Sequence, residues 1–134
     1  IAGAIANDGV MMEPKLLYSV SSSLKTTYSV TPSAAATPVS SAAAGKLKEM
    51  MIGAVKNGTG KKAALKNYTV GGKTGTAEIA DGDTNAEHAW FVGFVDDDEH
   101  PLAIAVILEK AGSGGSNAAP AAKKVLTRAI DLGY

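Results

Sequence analysis

The clearest pattern in the chain is the helical spacing of apolar residues between positions 40 and 57. These residues recur three or four positions apart, as on one face of an α-helix: Ala43, Leu47, Met50, Met51, Ala54 and Val55. Ser40 or Ser41 can cap the start, and Asn57-Gly58 is a typical stop signal. The pattern predicts a helix over 40–57 whose methionines pack in the core.

The C-terminal residues predict a second amphipathic helix. Its predicted cap is Asn117, Pro120 suits its first turn, and Gly133 ends it. The predicted buried stripe consists of Ala122, Val125, Leu126 and Ala129. The glycine-rich segment 112–116 before the helix lacks the Gly-Lys-Ser/Thr ending of a phosphate-binding loop, so we interpret it as a linker.

Three stretches between these helices predict strands. Residues 71–78 begin with two glycines, and residues 88–96 and 101–109 flank a charged turn, as in an antiparallel hairpin. The last strand is apolar on both faces, so both faces should be covered. We expect an α+β fold with a three-stranded antiparallel sheet, ordered Lys73 strand, Trp90 strand, Ile104 strand. The last helix and the N-terminal helix should cover one face of it.

Residues 1–39 predict smaller elements than residues 40–134. Residues 1–6 are small and apolar, and 7–9 are Asn-Asp-Gly, which predicts a helix end closed by a left-handed turn. Residues 15–30 predict a hairpin beside the Met50 helix. Residues 31–39 show neither period and predict a connector.

Composition excludes several classes of function. The 134 residues suit about one domain, and 13 basic residues balance 13 acidic residues, so nucleic acid is not an expected partner. The lack of cysteine excludes disulfides, thiolate catalysis and cysteine-ligated zinc. No apolar run approaches the ~18 residues of a membrane span. Because Ile1 lies inside a predicted helix, we expect a fragment of a larger protein.

The polar segment 79–87 predicts a surface loop near the central strand. Four oxygen-bearing residues alternate along it: Asp81, Asp83, Asn85 and Glu87. A calcium loop needs glycine at the sixth position and glutamate at the twelfth, where Val92 stands. No metal site is therefore predicted.

Strand 71–78 carries the candidate binding chemistry. Alternation places Lys73 and Gly75 on one face and Thr74 and Thr76 on the other. An edge strand offers unpaired N–H and C=O groups, while the hydroxyls and the ammonium add contacts to an anion. The strand suits an extended ligand with a carboxylate. The alternative is an ordinary strand with a solvated lysine.

Two blocks together resemble the C-terminal part of the penicillin-binding protein transpeptidase domain, of the high-molecular-weight cell-division and elongation type. They are Gly72-Lys73-Thr74-Gly75-Thr76-Ala77-Glu78 and His88-Ala89-Trp90-Phe91-Val92-Gly93-Phe94. Three further segments follow the family's order: Ile5-Ala6-Asn7-Asp8-Gly9, Gly58-Thr59-Gly60 and Ala119-Pro120. Class D β-lactamases and β-lactam sensor domains share the Lys-Thr-Gly strand but are less similar around it.

The resemblance implies that Lys73, Thr74, Gly75 and Thr76 line the active-site cleft. The two threonine hydroxyls would hold the carboxylate of a D-alanyl-D-alanine stem peptide or a β-lactam. The Thr76 N–H would be an oxyanion-hole donor, and Lys73 would supply positive potential and orient a partner serine.

His88 and Trp90 are the candidates for supporting positions behind these residues. Trp90 is expected to be mainly structural. His88 either lies near the cleft or is a hydrogen-bonded strand histidine.

The family's nucleophile and base are not identifiable in the chain. The chemistry requires a serine three residues before a lysine at a helix N-terminus, together with a Ser-x-Asn element. No Ser-x-Asn occurs, and the one Ser-x-x-Lys, at Ser22 to Lys25, falls in the predicted hairpin turn. We expect a chain without a cofactor that is inert alone. By resemblance, its parent is a serine-type D,D-transpeptidase at the extracytoplasmic face of the bacterial membrane.

Other functions and partners stay open at this point. The chain is alternatively a non-enzymatic module that binds peptidoglycan peptides, or part of a class D β-lactamase or sensor. In the family, the strand matching 101–109 pairs with strands that precede the nucleophile, so its apolar edge should be bare without the N-terminal half. We predict a dimer or swapped oligomer through that edge.

Overall fold

The computed structural model of the protein describes residues 1–78 and 87–134. Helices are α1 (Ala2–Ala6), α2 (Ser41–Asn57) and α3 (Ala119–Asp131), with a 3₁₀ turn at Lys61–Ala63 and a π-helical turn at Gly114–Ala118. Strands are β1 (Met11–Met12), β2 (Ser19–Ser21), β3 (Thr26–Ser29), β4 (Ala34–Ala36), β5 (Val70–Glu78), β6 (Glu87–Val95) and β7 (Ala103–Leu108). The α+β prediction is confirmed. Of the predicted loop 79–87, residues 79–86, with Asp81, Asp83 and Asn85, lie outside the described residues, and Glu87 belongs to β6 and not to a loop.

The central sheet has the predicted antiparallel order, β5-β6-β7. Its register pairs Gly75 with Trp90 and Phe91 with Val106, and the β5–β6 register continues from Val70 to Glu78 without a bulge. Large apolar side chains of β6 pack against glycines of β5, which have no side chains. A Cβ at Gly71 would overlap the Phe94 ring, and one at Gly72 would overlap the Phe91 ring. The two glycines after Val70 in β5 therefore leave space for these rings.

The core has two parts because Phe91 and Phe94 point to opposite faces of the sheet. Phe91 packs in a cluster with Ala122 and Leu126 of α3. Phe94 packs in another cluster with Ala2 of α1 and Met51 of α2. The prediction that α1 and α3 cover one face is therefore wrong, since the helices lie on opposite faces.

One face of β7 is less covered than predicted. Ile104, Val106 and Leu108 are partly buried against the α3 cluster. On the other face, α1 lies over Ala103, where a Cβ at Gly3 would be 3.5 Å from the Ala103 Cβ, while Ile107 remains 45% exposed. The five-residue α1 is too short to cover the length of the strand.

The predicted range of α2 is confirmed, but the buried face of the helix is rotated slightly from the predicted one. The Ser40 hydroxyl caps it by accepting a hydrogen bond from the Ala43 N–H. Its buried residues are Ala44, Met51 and Val55, whereas Met50 is 62% exposed. The prediction that Met50 packs in the core is wrong, because the buried stripe is centred one position away from it.

The start of α3 differs from the prediction. The Asn117 amide donates to the Ala111 carbonyl at 2.5 Å and does not cap the helix. Segment 112–116 is not a plain linker, because the Ser113 hydroxyl caps a π-helical turn by accepting from the Ser116 N–H. Along α3 the predicted Ala122 and Leu126 are buried, but Val125 is exposed.

The N-terminal region forms two small antiparallel pairs. β2 and β3 confirm the predicted hairpin, but every residue of both strands is exposed, so the hairpin does not pack beside α2 as predicted. The predicted connector contains β4, which pairs with β1. Nearby, the hydrogen bond from Lys15 and a second one from Ser33 lower the pKa of Glu13.

Candidate functional site

The backbone of β5 presents alternate residues to an open edge. In an antiparallel pair, residues whose N–H and C=O bond to the partner strand alternate with residues whose groups point away. The Asp96 N–H donates to the Thr69 carbonyl at 2.8 Å, which makes this pair a hydrogen-bonded one. The register is unbroken, so every second residue after Thr69 forms backbone hydrogen bonds with β6. These residues include Lys73, Gly75 and Ala77.

Thr74 and Thr76 therefore direct their backbone N–H and C=O groups away from β6. In the part of the chain that the structure describes, β5 pairs with β6 alone, so these groups lie on an open edge. Such an edge can add an extended peptide as a further strand. The structure thus brings Thr74 and Thr76 together as backbone donors and acceptors.

The side chains of Lys73 and Thr74 frame this edge. Thr74 is nearly buried, and its hydroxyl oxygen lies 2.7 Å from the hydroxyl oxygen of Thr59. The exposed Lys73 bends its ammonium back to donate to the Thr74 carbonyl at 2.6 Å. Thr76, on the same face as Thr74, has an exposed side chain. The edge therefore combines hydroxyls with one positive charge.

The π-helical turn packs directly on β5, which the sequence did not predict. A Cβ at Gly114 would overlap the carbonyl oxygens of Gly75 and Trp90, and a Cβ at Gly115 would lie 2.7 Å from the Thr59 carbonyl oxygen. Because neither glycine has a side chain, the backbone of the turn lies directly against the backbone of its neighbours. The sequence signal for this turn is Ser113, placed three residues before Ser116 at the spacing of an N-cap.

Trp90 and His88 lie on the face of the sheet opposite the threonines. Trp90 is 38% exposed, and a Cβ at Gly75 would be 3.3 Å from its Cβ. His88 Nδ1 accepts a hydrogen bond from the Lys110 N–H at 3.2 Å, just beyond the end of β7. The His88 contact fits the alternative of a hydrogen-bonded strand histidine.

Ser22 lies in a hairpin turn and not at a helix start. Its hydroxyl oxygen is 3.2 Å from both the N–H and the carbonyl oxygen of Lys25, accepting from the first and donating to the second. The Ser22 hydroxyl therefore acts as both donor and acceptor within the turn. The geometry agrees with the sequence argument against Ser22 as a nucleophile.

Two other site classes find no support in residues 1–78 and 87–134. These residues contain no group of three or more potential metal-binding side chains. None of the helices described is long and apolar enough to cross a membrane.

Comparison with known proteins identifies the family. The family model described as the penicillin binding protein transpeptidase domain matches residues 1–127. The peptidoglycan D,D-transpeptidase PbpA of Mycolicibacterium smegmatis is 33% identical over 140 residues, covering 99% of this chain and 28% of the relative. The D,D-transpeptidase MrdA of Haemophilus influenzae is 45% identical over 83 residues, covering 52% of this chain and 13% of the relative.

Solved structures give the same result. The D,D-transpeptidase domain of a peptidoglycan glycosyltransferase from Eggerthella lenta aligns with a TM-score of 0.83 at 35% identity, covering 96% of this chain and 30% of that one. Penicillin-binding protein A from M. tuberculosis, solved as its imipenem acyl-enzyme complex, aligns with a TM-score of 0.81 at 33% identity. The alignment covers 96% of this chain and 29% of that one. The chain spans less than a third of each of these relatives, and it belongs to the penicillin-binding protein transpeptidase domain family.

Proposed function

We propose that this chain supplies the substrate-binding wall of a peptidoglycan D,D-transpeptidase domain. The observation that carries the proposal is the open edge of β5, to which Thr74 and Thr76 direct their backbone groups. A stem peptide ending in D-alanyl-D-alanine, or a β-lactam, would lie along this edge.

Each residue of the wall has a proposed role. The Thr76 N–H donates to the oxyanion that develops during acyl transfer, and the hydroxyls of Thr74 and Thr76 bind the ligand carboxylate. Lys73 contributes positive potential, and Gly75 leaves room above the strand. In support, the similar protein from M. tuberculosis was solved as a β-lactam acyl-enzyme.

The groups that react with the substrate are proposed to come from outside residues 1–134. This sequence has no Ser-x-Asn, and its one Ser-x-x-Lys is committed to a hairpin turn. The chain would then act as a partial transpeptidase domain, completed by the other half of that domain at the extracytoplasmic face of the membrane.

Labelled penicillin tests this division of roles. We expect no stable label on residues 1–134 alone and stable label on the product of the complete reading frame. A Ser22→Ala variant of that product should label like the wild type. Stable labelling of the 134-residue chain that disappears with Ser22→Ala would overturn the proposal.

A binding module without turnover is a second candidate function, favoured by the intact β5 edge in a sequence without a recognisable nucleophile. NMR titration of the 134-residue chain with a D-alanyl-D-alanine peptide separates the two candidates. If the chain holds only part of an active site, the NMR signals around Thr76 should show no saturable shifts. Saturable shifts there would favour the binding module.

The open edge of β7 supports the prediction that the 134-residue chain associates with itself. This strand ends the described sheet, and Ile107 is exposed beside it. Unpaired strand edges with apolar neighbours favour edge-to-edge pairing. We predict a dimer by light scattering and a monomer for Ile107→Lys, because a charge at an edge opposes pairing. A wild-type monomer at high concentration would contradict this prediction.

A further inference from the structure

Thr59 is held in place from two sides. The N–H groups of both Gly58 and Gly60 donate to the Ala54 carbonyl at 3.1 Å, which fixes the backbone around Thr59 at the end of α2. From the other side, Gly115 of the π-helical turn comes so close that a Cβ would stand 2.7 Å from the Thr59 carbonyl oxygen. The backbone that carries the exposed Thr59 side chain is therefore held in place.

The partner of the Thr59 hydroxyl is Thr74, the buried threonine of the β5 edge. Their oxygens are 2.7 Å apart, and either hydroxyl can be the donor. A hydroxyl has one proton to donate and two lone pairs with which to accept. In the free protein the direction of this bond is therefore not fixed by the pair alone.

A carboxylate ligand would fix the direction. An ionised carboxylate only accepts, so Thr74 must point its single proton at the ligand. Thr74 can then only accept from Thr59, which becomes the donor. Hydrogen bonds arranged in such a chain strengthen one another, so the Thr59 proton makes Thr74 a better donor to the anion.

We propose that Thr59 is a positioning residue that orients the Thr74 hydroxyl towards the carboxylate of the substrate or the β-lactam. The inference rests on the proposed function, because it assumes that a carboxylate binds beside Thr74. It adds to that function a residue from outside the Lys-Thr-Gly strand, 15 positions earlier in the chain.

The test compares an acid ligand with a neutral one. The second-order acylation rate is measured for benzylpenicillin and for its methyl ester, with the product of the complete reading frame. We expect Thr59→Val to lower the rate with the acid by about 5-fold, the size of one net hydrogen bond, and to change the rate with the ester less than about 2-fold. Thr59→Ser, which keeps the hydroxyl, should restore the rate with the acid.

A second variant moves Thr59 without removing its hydroxyl. Gly115→Ala places a methyl group against the Thr59 carbonyl, so it should reproduce the selective loss with the acid ligand. Thermal melting of each variant shows whether it remains folded. Equal losses with acid and ester for Thr59→Val, or failure of Thr59→Ser to restore the rate, would overturn the inference.

The Thr74→Val variant separates this inference from the function on which it rests. If Thr74→Val lowers both rates equally, no carboxylate is bound at Thr74 and the proposed function fails at that residue. If Thr74→Val is selective for the acid but Thr59→Val is not, only the role of Thr59 is wrong.

Discussion

Replacing Thr76 with proline is expected to lower the rate of β-lactam acylation by about 10²- to 10³-fold, the cost of removing one oxyanion-hole donor. Proline lacks the backbone N–H, and the register directs the Thr76 N–H to the open edge. Proline is tolerated in a strand where the N–H faces outward. The variant should therefore lose reactivity and keep its fold. The measurement is the acylation rate of the product of the complete reading frame with labelled penicillin.

Two matched variants isolate the backbone donor. Thr76→Val removes the hydroxyl but keeps the N–H, so the difference between valine and proline at position 76 measures the N–H alone. Ala77→Pro removes an N–H that bonds to β6. It should lower the melting temperature of the 134-residue chain clearly more than Thr76→Pro does. Equal acylation rates for the proline and valine variants would contradict an oxyanion role for Thr76.

Replacing Gly114 with alanine is expected to destabilise the protein by about 3 kcal/mol, as overpacking does where neighbours cannot move. The added methyl group would meet the carbonyl oxygens of Gly75 and Trp90, which belong to paired strands. Backbone in a sheet cannot move aside as a flexible side chain can. The measurement is the free energy of unfolding of the 134-residue chain from denaturant titration.

Gly45→Ala is the matched control for this prediction. Gly45 lies within α2, and a Cβ there would meet nothing within 4 Å. Alanine should stabilise the helix by about 0.5–1 kcal/mol, because it restricts the unfolded chain and suits a helix better. A Gly114→Ala variant as stable as the wild type would show that the turn does not press on β5 as described.

The elements governed by local patterns were predicted from the sequence. Helical spacing predicted α2, because burial of an apolar face sets that spacing. The charged turn at 97–100 predicted the hairpin of β6 and β7, which are neighbours in the central sheet. Met50 was misplaced because it sits at the margin of the apolar stripe, where spacing alone does not define the centre. The parity of Phe91 and Phe94 indicates that both faces of β6 need a cover, but it does not say which helix packs on which face.

The elements governed by distant contacts were not predicted. The turn at Gly114 and Gly115 owes its shape to Thr59, Gly75 and Trp90, and no local pattern encodes those neighbours. Thr59 was named from the sequence only within the segment Gly58-Thr59-Gly60, without a role. The contact between Thr59 and Thr74 forms only because the fold brings the end of α2 next to β5. The residues of the Lys-Thr-Gly strand were named in advance by resemblance, and their roles stay predictions.

The alternation of paired and open backbone along β5 also bears on how this sequence can change under antibiotic selection. Thr76 is exposed, and the sheet does not use its backbone groups, so substitutions there should cost little stability. If Thr76 has the role proposed above, they would alter drug binding. A Cβ at Gly75 would be 3.3 Å from the Trp90 Cβ, so a side chain there would press on the neighbouring strand. Resistance arising in this strand is therefore expected to accumulate at position 76 and to spare position 75.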